Sequence, residues 1–269
     1  MKNKIYIIFL LPAFLSSCSF YLPGYNFALF NNSPVEELAE AVEDEDLEEI
    51  EEILKENKSI VDYQEPKFGN TVLMLAVANN KNKSARKLLQ LGANPNTNSK
   101  KDDKTPLIIA SNNFHNNTCN TEIVKDLIHF GADVNFVQHD FESNPTVGVN
   151  STALLEAASS GKCFEIVKLL VENGANINYS TQQNNGSGAV MLAIVSENLE
   201  IARYLLVEKH AMIPRYIYVV KENTPEERLI TITDVLNDDD RAVLRLKKGP
   251  YRDKLKQEIL DYLQSKGVR

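Results

Sequence analysis

Cysteine, histidine and carboxylate side chains can do covalent, metal or proton-transfer chemistry, and their spacing in this 269-residue chain supports little of it. The cysteines are Cys18, Cys119 and Cys163 and the histidines His115, His129, His139 and His210; no Cys/His cluster has zinc-ligand spacing. His115, His139, Asp140 and Glu142 are irregularly spaced across two loop-like stretches, which does not predict a metal site. His129 and His210 fall at the ends of helical segments, where an imidazole meets the last carbonyls without any further role. Asn184-Asn185-Gly186-Ser187-Gly188 lacks a following Lys-Ser/Thr and predicts a turn rather than a phosphate loop. Neither a Gly-x-Ser-x-Gly elbow nor a His-Glu-x-x-His pair occurs, and abundant carboxylates without a pocket mark no acid–base pair. The expectation is a protein that is not an enzyme, with no cofactor, no metal and no small-molecule substrate.

One cysteine has a context of its own. Lys2 and Lys4 precede an apolar run of eleven residues, Ile5 to Leu15. A membrane-spanning helix needs about 20 apolar residues, so this run has the form of an export signal. Leu15-Ser16-Ser17-Cys18 resembles the bacterial lipobox. The resemblance implies cleavage before Cys18, diacylation of Cys18, and a membrane anchor that two acyl chains make stable. The alternative is an ordinary cleaved signal in which Cys18 is incidental. By analogy with enteric-type lipoproteins, Ser19 after the cysteine favours the outer membrane, with the inner membrane left open. Residues 19–33 carry no charge and five aromatics, Phe20, Tyr21, Tyr25, Phe27 and Phe30. This tether packs on the following domain, rests among lipid headgroups, or meets a partner.

The elements that must position everything else recur along the chain. The clearest copy is STALLEAASSGKCFEIVKLLVENGANIN, Ser151 to Asn178: a hydroxyl cap, two amphipathic helical segments split near Gly161, and a Gly-Ala-Asn close. Related blocks begin at Asn70-Thr71, at Thr105-Pro106 and at Gly188. Thr-Pro-Leu-x-x-Ala, followed by Glu-Ile-Val-Lys-x-Leu-Ile-x-x-Gly-Ala-Asp-Val-Asn, resembles the ankyrin repeat. The resemblance implies an all-α ankyrin-repeat solenoid of about five to six helix-turn-helix units with finger loops. Thr105 is expected to cap its helix, with Pro106 in the first turn. Leu107, Ala110, Val124, Leu127 and Ile128 are expected to bury between units, and Gly131 to take a left-handed C-cap. The organisation expected is a signal peptide over 1–17, the lipidated cysteine and tether over 18–33, and the repeat domain over 34–269. Its units fall near 34–68, 69–103, 104–150, 151–186, 187–226 and 227–269.

Unit one should start with Ser33 as cap and Pro34 in the first turn. Between Pro34 and Glu56 it carries twelve acidic residues against one lysine, a charge run expected of a solvated terminal cap or, alternatively, an acidic docking face. Net charge is −8 and Lys/Arg form no strong basic face, which argues against nucleic acid. Unit six should begin with a helix through Leu229, Ile232, Val235 and Leu236 and close with one over Gln257 to Gly267. A strand over Tyr216 to Val220 would belong to a longer hairpin.

The ankyrin period is about 33 residues, whereas Thr71, Thr105, Thr152 and Gly188 are separated by 34, 47 and 36. The excess lies at Asn112 to Thr121 and in the finger Phe136 to Asn150. The family resemblance implies partner binding on the concave face of fingers and first helices, so His139, Asp140, Phe141 and Glu142 are candidate contacts, joined by Lys100, Lys101, Asp102 and Asp103 one finger earlier. A plain surface loop is the competing reading. Aligning Glu122-Ile123-Val124-Lys125 on Glu165-Ile166-Val167-Lys168 puts Cys119 and Cys163 near the same turn of adjacent units. Units stacked about 10 Å apart in this family leave the pair too distant for a disulfide unless the insertion closes the gap. A bond and two separate thiols both remain open. The function expected is a lipid-anchored, periplasm-facing protein-binding scaffold, and more sharply an immunity protein that neutralises a toxic secreted effector such as a phospholipase. The alternative is a structural or adaptor lipoprotein of an envelope complex.

Overall fold

A computed structural model of the chain describes residues 24–112, 119–139, 150–160, 163–181, 187–220, 228–237 and 249–268. Helices come in pairs: α1 Glu36–Asp44 and α2 Leu47–Glu56, α3 Val72–Ala78 and α4 Asn82–Gln90, α5 Pro106–Ser111 and α6 Thr121–His129. Next come α7 Ala153–Ser160 and α8 Phe164–Glu172, α9 Ala189–Val195 and α10 Leu199–Arg203, α11 Ile232–Asn237 and α12 Pro250–Ser265. First helices α1, α3, α5, α7 and α9 pack in succession, and second helices α2, α4, α6, α8, α10 and α12 form a parallel layer behind them. The result is an all-α repeat solenoid. Its only sheet elements among the described residues are two antiparallel hairpins: β1 Ser180–Thr181 with β2 Ser187–Gly188, and β3 Tyr218–Val220 with β4 Arg228–Ile230.

Caps and C-terminal glycines set the helix boundaries. Thr71, Thr105 and Thr152 accept hydrogen bonds from the backbone N–H of Met74, Ile108 and Leu155 at 3.3, 3.4 and 3.3 Å, satisfying donors that have no partner inside the helix. Gly92, Gly131 and Gly174 take φ of +102°, +90° and +87°. The following alanine in each case donates back to Leu88, Leu127 or Leu170, 2.9 Å every time, which closes a Schellman turn. In unit five His210 holds that left-handed position at φ +54°. There α10 continues as a π-helical turn, Tyr204–Glu208, and Ala211 donates to Leu205.

Several expectations need correction. Ala110 and Ile128 are only partly buried, because Ile108, Ile109 and Ile123 take the inter-unit positions. Ser33 does not cap α1: its Oγ accepts from Val35 N–H, the helix starts at Glu36, and Val35 at the N-cap provides no side-chain bond. Leu229 lies in strand β4 rather than in a helix, because its neighbours pair with Tyr218–Val220, and α11 starts at Ile232. Helix α12 runs over Pro250–Ser265, starting well ahead of the closing helix expected from Gln257. From Gly24 onward the expected tether is folded: Phe27–Phe30 form a 3-10 turn with both phenylalanines buried. Phe20 and Tyr21 lie outside the described residues.

Candidate partner-binding surface

Finger loops project between successive helix pairs, and side-chain amides and carboxylates stitch them together. Asp62 accepts from Asn94 N–H at 2.9 Å, Asn96 from Asp133 N–H at 2.7 Å, Asn135 from Asn176 N–H at 2.7 Å, and Asn178 from Met212 N–H at 2.8 Å. Asn96 and Asn135 return a bond from Nδ2 to the carbonyls of Gly131 and Gly174. One rung per unit therefore fixes the position of each finger relative to the next. The sequence carried this signal: in three units an asparagine lies four residues after the closing glycine, Gly92/Asn96, Gly131/Asn135 and Gly174/Asn178. Buried Glu65 shapes the first finger, its carboxylate accepting from the N–H groups of Lys67, Phe68 and Asn70 at 2.7, 2.8 and 3.1 Å. No periodicity announced it.

The candidate contact residues on the second and third fingers meet. Asp103 Oδ2 accepts from His139 N–H at 2.8 Å and lies 3.3 Å from His139 Nδ1; Oδ1 accepts from Asn98. Gln138 Nε2 donates to the Asp102 carbonyl at 2.6 Å, and Lys101 N–H to the Phe68 carbonyl at 3.0 Å. Lys101 Nζ lies 5.1 Å from the centroid of the Phe68 ring, within cation–π range. Lys100, Lys101, Asp102 and His139 are exposed and Asp103 half-buried. Lys100 passes so close to Gly69 (φ +74°) that a Cβ on the glycine would come 2.5 Å from it. Asp103 and the main chain of its neighbours thus hold fingers to one another, leaving the lysines facing out. Asp140, Phe141, Glu142 and Cys18 lie outside the described residues, as does His115.

Cys119 and Cys163 are joined as a disulfide, with Cα atoms 5.2 Å apart, inside the range such bonds require. Cys119, at the end of the inter-helix insertion, is exposed, whereas Cys163 at the N-cap of α8 is buried. The bond ties the inter-helix turns of units three and four.

Exposed large apolar side chains are concentrated elsewhere. Among the described residues they are Val195 (43% exposed), Met212 (73%), Leu229 (37%) and Tyr251 (61%), all in the last two units. Met212 also lines a groove of about 180 Å³ between the fourth and fifth fingers, with Tyr179, Val190, Ile213, Pro214 and Arg215. An exposed apolar side chain at the rim of a groove makes Met212 a candidate contact. No repeat pattern points to Met212, because Lys209-His210-Ala211 replaces the Gly-Ala close ahead of the fifth finger.

Charges lie mostly along the second-helix layer. Glu51 bonds Lys55 and Lys87, which hold its carboxyl down at about 2, the Lys55 contact contributing most. Arg86 bridges to Glu122 and Asp126 of the next unit at 2.8 and 2.9 Å. Arg203 pairs with Glu208 and Glu258, which lowers the Glu258 carboxyl and raises the guanidinium, and Tyr251 Oη donates to Glu200. The Arg203–Glu258 and Tyr251–Glu200 bonds join unit five to α12. Among the described residues no His/Cys/Asp/Glu group could hold a metal ion, and no helix is long and apolar enough to cross a membrane.

Comparison with known proteins agrees with this geometry. The family described as "Ankyrin repeats (3 copies)" matches residues 38–138 and 115–215. "Ankyrin repeat and KH domain-containing protein mask-1" of Caenorhabditis elegans is 38% identical over 84 residues, 31% of this chain and 3% of its own length. FPV031 of Fowlpox virus (strain NVSL), an ankyrin repeat protein by name, is 33% identical over 134 residues, 50% of this chain and 36% of its own. The chain thus spans well under two thirds of either relative.

Proposed function

Since the chain belongs to the ankyrin-repeat family, whose repeats serve protein–protein interaction, we propose that it is a lipid-anchored, periplasm-facing scaffold that works by capturing a protein and not as an enzyme. The observation that carries the capture is Met212, 73% exposed on the fifth finger and lining the open groove between the fourth and fifth fingers. Leu15-Ser16-Ser17-Cys18 supports the anchor. The sharper form is an immunity protein: a bare binding scaffold, tethered where toxic effectors strike lipid, that blocks a secreted phospholipase.

Three measurements test this. Labelled palmitate should enter the wild-type chain in a bacterial host and not the Cys18→Ser variant; equal labelling removes the anchor. Cells lacking the protein should lose fitness against siblings that secrete the lipase; no loss, with an active lipase, removes the immunity role. Met212→Asp combined with Val195→Asp should weaken capture of that lipase at least ten-fold, since burying an unpaired carboxylate in an apolar contact is costly. Unchanged capture would place the contact away from unit five.

A further inference from the structure

The segment Gly24–Phe30 lies on the repeats as a bound peptide would. Its 3-10 turn buries Phe27 and Phe30 and packs against α1. Upstream of this anchor the chain runs across α3. Asn70, just before α3, donates from Nδ2 to the Gly24 carbonyl at 2.6 Å; Asn79, the C-cap of α3, donates from Nδ2 to the Tyr25 carbonyl at 2.9 Å. Gly24 rests beside the first finger, where a Cβ would touch the Phe68 ring at 3.6 Å. Burial raises the Tyr25 phenol above the ordinary value, and the charges of Asp102 on the second finger and Glu156 on α7 add to the rise.

Two kinds of contact are therefore present, and they are those by which grooves hold extended peptides. Bonds to main-chain carbonyls give affinity without regard to sequence, and apolar pockets select side chains. Asn70 is itself only 4% exposed, and its Nδ2 is directed at the segment rather than at its own finger. The occupant matches, since residues 19–33 carry no charge whose desolvation would oppose docking. Two buried acceptors belong to the side chains that hold Glu156 and the Asp102 main chain. Asn112 Oδ1 and Gln138 Oε1 are buried without a partner among the described residues. Their side-chain amides bond Glu156 and the Asp102 carbonyl, the two residues whose charges reach the phenol.

We propose that α1, α3 and the first two fingers form a docking groove for an uncharged, aromatic segment that closes in a 3-10 turn. Gly24–Phe30 is its resident occupant, exchangeable for a partner's segment of the same chemistry. This rests on the protein-binding reading and adds a second, self-covered surface to the open one on unit five. Capture on the groove requires the resident segment to leave, so the N-terminus is a built-in competitor.

The test uses the full chain with a sequence-specific protease site inserted between the exposed residues Asn31 and Asn32. The folded protein is cut, and a fluorescein-labelled peptide of residues 19–31 is added in large excess. Cut protein should bind the peptide saturably while uncut protein should not. Asn79→Ala in the cut protein should weaken binding about five-fold, the effect of one neutral hydrogen bond. A peptide carrying Phe27→Asp and Phe30→Asp should not bind. Equal binding by uncut protein overturns the proposal, as does no binding by cut protein of unchanged helical circular dichroism. Loss of that signal on cutting, or a cut segment that never exchanges, makes residues 24–30 a fixed part of the core and also overturns it. The protein-binding reading is tested separately by the Met212 and Val195 variants, so the two failures are distinguishable.

Discussion

Opening the Cys119–Cys163 bond should be the largest single perturbation of this solenoid. The bond spans 44 residues of sequence. Closing such a loop removes ~13 cal/mol/K of entropy from the unfolded chain, about 4 kcal/mol at 25 °C as an upper value. For a chain of this size about 1 kcal/mol corresponds to ~2–4 °C in midpoint, so reduction should lower the melting temperature by up to about 8–16 °C. Cys119→Ser is the appropriate variant, because Cys119 is exposed whereas Cys163 is a buried helix cap. Oxidised wild type, reduced wild type and Cys119→Ser are melted side by side, with thiols counted by mass after alkylation. The reduced wild type and the variant should coincide, both below the oxidised protein. Because repeat arrays can open in parts, amide exchange should show the loss concentrated in units three and four. Two free thiols in unreduced protein would refute the bond; an intact bond whose reduction leaves the midpoint unmoved would refute the loop-entropy reasoning.

Other predictions follow from single positions. Gly131→Val and Gly174→Val should each cost about 1–2 kcal/mol in denaturant unfolding. Both sit near φ +90° with nothing within 4 Å of an added Cβ, so the cost is conformational alone, and an unchanged midpoint would contradict it. Glu65→Ala leaves three N–H groups of the first finger without their acceptor and should cost about 2–4 kcal/mol. A loss confined to less than that of an ordinary surface substitution would show the loop is held by other means. Glu51 has its carboxyl depressed from 4.5 to about 2, so its stabilising contacts are fully present above pH 4.5 and are lost as pH falls towards 2. Wild type should therefore exceed Glu51→Gln in stability at neutral pH and converge with it at the acid end. A difference that is constant with pH would exclude the ion pairs as its source.

What the sequence made legible was whatever repeats locally. Thr105 and Pro106, the Gly-Ala closes and the apolar positions of α6 are local instructions, each satisfied within one turn of helix, and each recurs often enough to be recognised. In unit six Ile232, Val235 and Leu236 made α11 legible by their spacing, whereas Leu229 pairs in strand β4 instead. The Cys119–Cys163 contact depended on how far an irregular insertion shifts one unit against the next, a distance that a periodic argument cannot supply.

The candidate site illustrates the same division with a consequence for function. At the tip of the second finger Asp103 bonds His139 and Asn98 and the Asp102 carbonyl bonds Gln138, while the side chains of Lys100, Lys101 and Asp102 stay exposed. The Asn70–Gly24 and Asn79–Tyr25 bonds join residues 46 and 54 positions apart, and no pattern in either partner reveals them. A repeat scaffold uses regular residues to stack and irregular ones to bind. On that logic, among the described residues, the altered fifth finger with Met212 and the aromatic segment ahead of unit one are the surfaces we propose for recognition.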